Sequence, residues 1–157
     1  MVDIVDRATR SRMMSGIRSS NTKPEVLTRK ALHKLGYRFR LASKAGKIKP
    51  DIILRSRKVA IFVHGCFWHQ HPGCNHAYAD RERSSKWRQK FSDNQARDHR
   101  VTEQLLELDW RVAVIWECAT RDKSIFRSVI DELHFWIQSG NGQYWESSFK
   151  KTSNKKA

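Results

Sequence analysis

The chain has 157 residues, of which 31 are Lys or Arg and 16 are Asp or Glu, for a formal net charge of +15. That length fits one domain with a single core, and 39% hydrophobic and 10% aromatic content excludes wholesale disorder. No apolar run approaches the roughly 20 residues a membrane span needs, and the polar start has no apolar signal segment, so a cytoplasmic protein is expected. The charge points to a polyanion, nucleic acid foremost; no long basic amphipathic helix speaks for a membrane surface.

Residues 1–20 form a basic, polar arm carrying Arg7, Arg10, Arg12 and Arg18. Thr22-Lys23-Pro24-Glu25 is a capping-box pattern with Pro in the first turn. Val26, Leu27, Ala31 and Leu35 follow at helical spacing, and Gly36 stops the helix. Tyr37, Phe39 and Leu41 alternate with Arg38 and Arg40, which predicts a strand with a basic outer face. After a Lys-rich turn, residues 51–55 and 58–64 predict two strands joined at Ser56-Arg57. The second is almost continuously apolar, as a central strand would be.

Residues 65–80 have no period and are dense in His, Cys and aromatics, the composition of a functional loop. Residues 82–108 read as helix, with a break near Ser92-Asp93. Residues 111–116 predict a buried strand and 124–138 an amphipathic helix; residues 141–157 turn polar and basic and are expected to be loose. The order α-β-β-β-α-β-α implies an α/β domain over 1–140, one mixed sheet with helices on both faces.

Asp51 opens the first strand of the hairpin, and the second strand delivers residues 62–64 beside it. A carboxylate at a strand end is a hard oxygen ligand of the kind Mg²⁺ needs against a phosphate; the plainer role is a turn cap after Pro50. Residues 64–74 hold three His and two Cys. Three cysteines in a chain of cytoplasmic type make a disulfide framework a poor reading. His71 and Cys74 have the spacing of half a zinc site, Cys118 after the last strand is the obvious third ligand, and His76, His99 or Asp98 could be the fourth. Phe67-Trp68 in a polar loop, with Trp87 in the basic run Arg81, Arg83, Lys86, Arg88 and Lys90, provides aromatics of the type that wedge between base pairs. His64 and His69 flank the loop near Asp51, where one could act as general base and a cationic one could steady a phosphate. His33 and His134 lie apart from this cluster.

Several strings carry a family likeness: Arg7-Ala8-Thr9-Arg10-Ser11; Pro50-Asp51-Ile52; Val63-His64-Gly65-Cys66-Phe67-Trp68-His69; Asn94-x-x-Arg97-Asp98; and Trp116-Glu117-Cys118. Over residues 5–138 the chain resembles the very-short-patch-repair (Vsr) DNA mismatch endonucleases. The resemblance implies a restriction-endonuclease-like fold and Mg²⁺-dependent nicking of one DNA strand 5′ to the thymine of a T·G mismatch. Such mismatches arise where 5-methylcytosine deaminates, so a cytosine-5 DNA methyltransferase is the implied functional partner. The implied enzyme is a monomer at work on the nucleoid in the bacterial cytoplasm. Carried over, Asp51 and the backbone carbonyl of Val63 hold Mg²⁺, His69 is the base supported by Glu25, and His64 faces the phosphate. His71, Cys74, Asp98 and Cys118 form a structural Zn²⁺ site, and Phe67, Trp68 and Trp87 intercalate. Arg7, Arg10, Arg12, Arg81, Lys86 and Arg88 are candidate DNA-backbone contacts.

Three positions depart from the pattern. Val63 stands where relatives often have Thr, two residues separate His71 from Cys74 where some have one, and residues 44–49 replace a Leu-Pro-Gly-Arg-like turn. Two other readings stay open: a restriction-type endonuclease of the same fold that cuts matched DNA, and a zinc-stabilised DNA-binding module without catalysis.

Overall fold

A computed structural model describes residues 21–39, 44–77 and 85–148. The candidate backbone contacts Arg7, Arg10, Arg12 and Arg81 lie outside them.

Helix α1 (Lys23–Lys34) begins as the capping box predicts. The Thr22 side chain accepts from the Glu25 N–H at 3.4 Å, and Glu25 Oε2 accepts from the Asn21 N–H at 3.0 Å. It ends in a Schellman motif at Gly36, whose φ of 95° suits a residue without a Cβ; the Tyr37 N–H reaches Leu32 O and the Gly36 N–H reaches His33 O. Strands β1 (Ile52–Leu54) and β2 (Val59–His64) pair antiparallel, Ile52 opposite Ile61. The predicted two-residue turn is a four-residue loop, Arg55–Lys58, closed by Lys58 N–H to Arg55 O with Lys58 at φ 50°.

Helix α2 (Ser85–Glu107) carries the chain over the sheet to β3 (Arg111–Trp116), which lies parallel to β2 from Val59↔Arg111 to His64↔Trp116. The break expected near Ser92-Asp93 is absent. Both side chains are exposed and place nothing polar in the core, and Asp93 accepts from Gln89 one turn earlier at 2.8 Å. Helix α3 (Lys123–Ser139) starts on the Asp122 carboxylate, which accepts from the N–H groups of Ser124 and Ile125. Strand β4 (Tyr144–Glu146) then pairs parallel with β3, giving the sheet order β1-β2-β3-β4.

The two-residue period of the strands sorts the core. Ile52, Leu54, Val59, Ile61, Ala113 and Ile115 face α1 and α3, where they meet Leu32, Leu133 and Ile137. Ile53, Ala60 and Val112 face α2 and meet Leu105. Phe62, Val114 and Trp116 continue the α2 face toward the cysteines, so the ends of β2 and β3 present side chains to the start of the loop after β2.

Two expectations are corrected here. Of the strand expected over residues 37–41, Tyr37–Phe39 is not strand, and residues 40 and 41 lie outside the described residues. Tyr37 is buried instead, its hydroxyl 2.7 Å from His134 Nδ1 and accepting from Gln138 Nε2 at 3.0 Å; this ties the end of α1 to α3 and gives His134 a structural role. Residues 141–148 are not a loose tail. The Arg111 guanidinium donates to the carbonyls of Trp136, Asn141 and Gly142 and lies 3.9 Å over the Trp136 ring, which folds the chain after α3 back onto β3.

Candidate active site and metal centre

Asp51 precedes β1 by one residue and extends its pairing by side chain. Its Oδ2 accepts the Val63 N–H at 2.7 Å, where a longer β1 would have offered a carbonyl. The carboxylate shares a cleft of about 860 Å³ with Glu25, Val63, His69, Lys49, Lys90 and Arg97. Burial, with the Glu25 charge adding to it, pushes the Asp51 carboxyl up to about 6, against the lowering effect of the Val63 N–H. A half-buried carboxylate beside the buried Glu25 carboxylate offers a donor set of hard oxygens that suits a divalent cation. The main-chain carbonyl of residue 63 is present whatever the side chain, so Val in place of Thr removes only a hydroxyl.

His64, at the end of β2, and His69 stack with centroids 4.0 Å apart and planes 3° from parallel. His69 Nδ1 lies 2.5 Å from Asp98 Oδ2 of α2, and His64 Nε2 lies 4.0 Å from Asp98 Oδ1. Parallel rings cannot aim two lone pairs at one ion, so this His-His-Asp group reads as a proton-handling cluster and not a metal cage. With Asp98 accepting at Nδ1, the Nε2 of His69 is left to accept a proton. Burial, and then the neighbouring His69, lower His64 to about 3, so it is a neutral ring near neutral pH. A neutral ring can still face a phosphate as an N–H donor.

The metal ligand set also differs from expectation. Cys66, His71, Cys74 and Cys118 place one ligand atom each within 4.8 Å of one another. His71 Nδ1 is 3.7 Å from Cys66 Sγ and 3.5 Å from Cys118 Sγ, close to the roughly 3.5 Å that tetrahedral bonds of about 2.3 and 2.0 Å would set. Asp98 is engaged by His69, His99 pairs with Glu103 at 3.3 Å, and His76 is exposed outside the cluster. The fourth donor gathered with His71, Cys74 and Cys118 is Cys66. The loop makes this so by curling back: the His69 N–H donates to Gly65 O and the His71 N–H to Cys66 O, which sets Cys66 beside His71. The two-residue spacing before Cys74 is absorbed by Gly73 at φ 71°. Hydrogen bonding between the thiols raises Cys66 and lowers Cys118, so Cys118 is the readier thiolate. The cluster can hold a metal ion.

Phe67, Trp68 and Trp87 lie together, joined by Phe91. Phe67 meets Trp68, Trp87 and Phe91 edge-on at 5.2, 5.9 and 5.1 Å. Side-chain amides hold the loop that carries them: Asn94 donates to Trp68 O at 3.1 Å, and Gln70 to Phe67 O at 2.6 Å and Ala77 O at 3.0 Å. Lys90 Nζ sits 4.9 Å over the Trp68 ring. Lys86 and Arg88 lie on the same helix, Arg88 exposed. Sequence alone does not single out the bracing role of Asn94 and Gln70, because an isolated amide carries no motif.

A family model described as DNA mismatch endonuclease Vsr matches residues 2–76. The chain is 41% identical over 135 residues to Type II nicking enzyme V.XorIIP of Xanthomonas oryzae pv. oryzae, covering 83% of this chain and 98% of that one. It is 38% identical to Type II nicking enzyme V.NmeAIP of Neisseria meningitidis, covering 85% and 94%. It is 35% identical over 142 residues to the DNA mismatch endonuclease Vsr of Escherichia coli, covering 87% and 88%. With a carboxylate cleft, a His-Asp pair, a Cys₃His cluster and these relatives along most of its length, the chain belongs to the Vsr family of DNA endonucleases.

Proposed function

We propose that this protein is a restriction-endonuclease-like, Mg²⁺-dependent enzyme that nicks one strand of duplex DNA 5′ to the thymine of a T·G mismatch. In this reading it acts as a monomer at sites of a cytosine-5 methyltransferase. The observation that carries the reading is the meeting of Asp51, the Val63 main chain and the His69–Asp98 pair in one cleft rimmed by Lys49, Lys90 and Arg97. Asp51 and the Val63 carbonyl would hold Mg²⁺, which when bound supplies positive charge to the scissile phosphate and the leaving 3′-oxygen. His69 Nε2 takes the proton of the attacking water, and Asp98 fixes the ring that does so. Glu25, tied to the Asn21 N–H, keeps a second carboxylate facing the water and Asp51. Neutral His64 donates a hydrogen bond toward the phosphate. Zn²⁺ fits the Cys₃His cluster by donor type and spacing, and Phe67, Trp68 and Trp87 are the mismatch wedge.

A strand-specific assay on matched and T·G duplexes with Mg²⁺ tests this. A single nick in the thymine strand, leaving 3′-hydroxyl and 5′-phosphate ends, is expected. Double-strand cutting of the matched duplex would replace the reading with a restriction-type enzyme, and binding without any cleavage would replace it with a DNA-binding module. In the same assay, Trp68→Ala should lose most of the preference for T·G over matched duplex while matched binding stays within about threefold, because phosphate contacts carry non-specific affinity. Equal losses on both duplexes would argue against a wedge. Non-specific binding itself should fall with salt at a log–log slope near −0.9 per phosphate neutralised, or roughly −5 to −9 for about six to ten phosphates; a titration by fluorescence anisotropy gives the slope.

A further inference from the structure

We propose that Trp116 is a positioning residue for the His64–His69 pair, and that Glu146 of β4 sets Trp116 in place. The inference rests on the reading of His69 as base but is carried by different contacts. The His71 ring lies flat on the Trp116 ring, centroids 4.1 Å apart and planes 9° from parallel. His64 meets the same indole edge-on at 5.3 Å and 71°, and His69 stacks on His64. Trp116 thus touches a residue of the Cys₃His cluster on its ring face and a member of the catalytic pair besides. It is 7% exposed and is fixed at two points, from β4 and from the residue after it: its indole N–H donates to Glu146 Oε2 at 3.2 Å, and its backbone N–H to Ser147 Oγ at 3.0 Å. Tyr144 Oη also donates to Glu146 Oε2, at 3.3 Å.

The surroundings make this contact matter. His64 and His69 line the cleft of Asp51 on one side and a second cavity of about 600 Å³ on the other, the latter bounded by Tyr144, Glu146 and Trp116. A ring between two open spaces keeps its plane only if something solid meets it. Among the described residues, the rings that contact His64 are Phe62, His69 and Trp116. Phe62 is tilted at 45° and 5.8 Å away, so the indole edge is the closer stop after His69 itself. Without it His64 can swing toward the second cavity, and the plane on which His69 rests goes with it. Strand β4 therefore joins the catalytic apparatus although none of its residues lines the Asp51 cleft.

The test uses full-length, metal-loaded protein and two readouts. One is single-turnover nicking of a T·G duplex. The other is the ring C–H resonances of ¹³C-labelled His64 and His69 in DNA-free protein, which respond to the neighbouring indole whether or not His69 is the base. Trp116→Leu keeps apolar bulk without the flat ring. It should lower the nicking rate roughly 30- to 100-fold with DNA affinity within about twofold, and shift both histidine resonances. Glu146→Ala should give a smaller loss, roughly tenfold, with shifts in the same direction, and Glu146→Gln, whose amide oxygen still accepts the indole N–H, should recover most of it. Unchanged resonances, or shifted resonances with an unchanged rate, overturn the proposal. If Trp116→Leu does not fold, Glu146→Ala decides on the same two readouts. A wild-type rate in His69→Ala would instead overturn the reading of His69, while the resonances still judge Trp116.

Discussion

Asp51→Asn should abolish nicking and at the same time make the DNA-free, Mg²⁺-free protein more stable at neutral pH. The first half follows from the donor set. The Asp51 carboxylate sits against the Val63 main chain, whose N–H it accepts, and an amide is a far weaker ligand for a hard dication. Removing several kcal/mol of charge stabilisation at the phosphate corresponds to a rate loss of at least about 10³-fold. The second half follows from burial. Asn keeps an oxygen that accepts the Val63 N–H, so the hydrogen bond survives while the buried charge does not.

The pH dependence has a definite sign. The Asp51 carboxyl sits at about 6 in the folded chain and near 3.8 in an exposed one. A group raised on folding contributes its stability below the lower value and loses it as pH climbs through the higher one. Wild-type protein should therefore lose stability between about pH 4 and 6, by at most about 3 kcal/mol, since each tenfold difference in proton affinity between the folded and unfolded chain is worth about 1.4 kcal/mol. Thermal melts of the two proteins should nearly coincide at about pH 4 and separate by about pH 7.5, with Asp51→Asn higher. Added Mg²⁺ should raise the wild-type melt and leave the variant in place. A variant less stable than wild type at neutral pH without Mg²⁺ would mean that the carboxylate is satisfied by the protein alone.

The parts of the fold that can be read correctly from sequence are those whose signal is local. The capping box at Thr22 and Glu25, the stop at Gly36 and the apolar run of β2 each need only neighbouring residues to be read. The failures come where a distant partner decides. Tyr37, Arg38 and Phe39 alternate as a strand does, yet Tyr37 is claimed by His134 and Gln138, which lie 97 and 101 residues further on. Strand β4 is three residues long, too short to show a period, and it exists because Arg111 gathers the carbonyls before it. The site shows the same division. Its residue types are legible as a dense His, Cys and aromatic loop, but pairing them requires the curl that sets Cys66 against His71 and leaves Asp98 to His69. One signal does point the right way: three cysteines and a histidine make a complete structural zinc set, with no carboxylate needed.

That reassignment sets up a crossed experiment, in which Cys66→Ala and Asp98→Ala should fail in opposite ways. Cys66→Ala removes a ligand from a cluster that joins the loop of residues 66–77 to Cys118 beyond β3. It should be purified with well under one zinc per chain and lose at least about 3 kcal/mol of stability, since structural zinc contributes folding free energy directly. Its nicking should disappear with the loop, because His69 lies between two of the ligands in sequence and hangs on Gly65 O. Asp98→Ala should keep one zinc and a melt near that of the wild type, because Asp98 is a half-buried residue of α2 that bonds only the histidines among the described contacts. Its defect should be confined to the rate, roughly 10²-fold at saturating DNA, the lower end of what a positioned base contributes. Zinc content by atomic emission, melting temperature and single-turnover rate on both variants give three independent comparisons. Loss of zinc from Asp98→Ala, with zinc retained in Cys66→Ala, would return the carboxylate to the metal and leave His69 without an orienting partner.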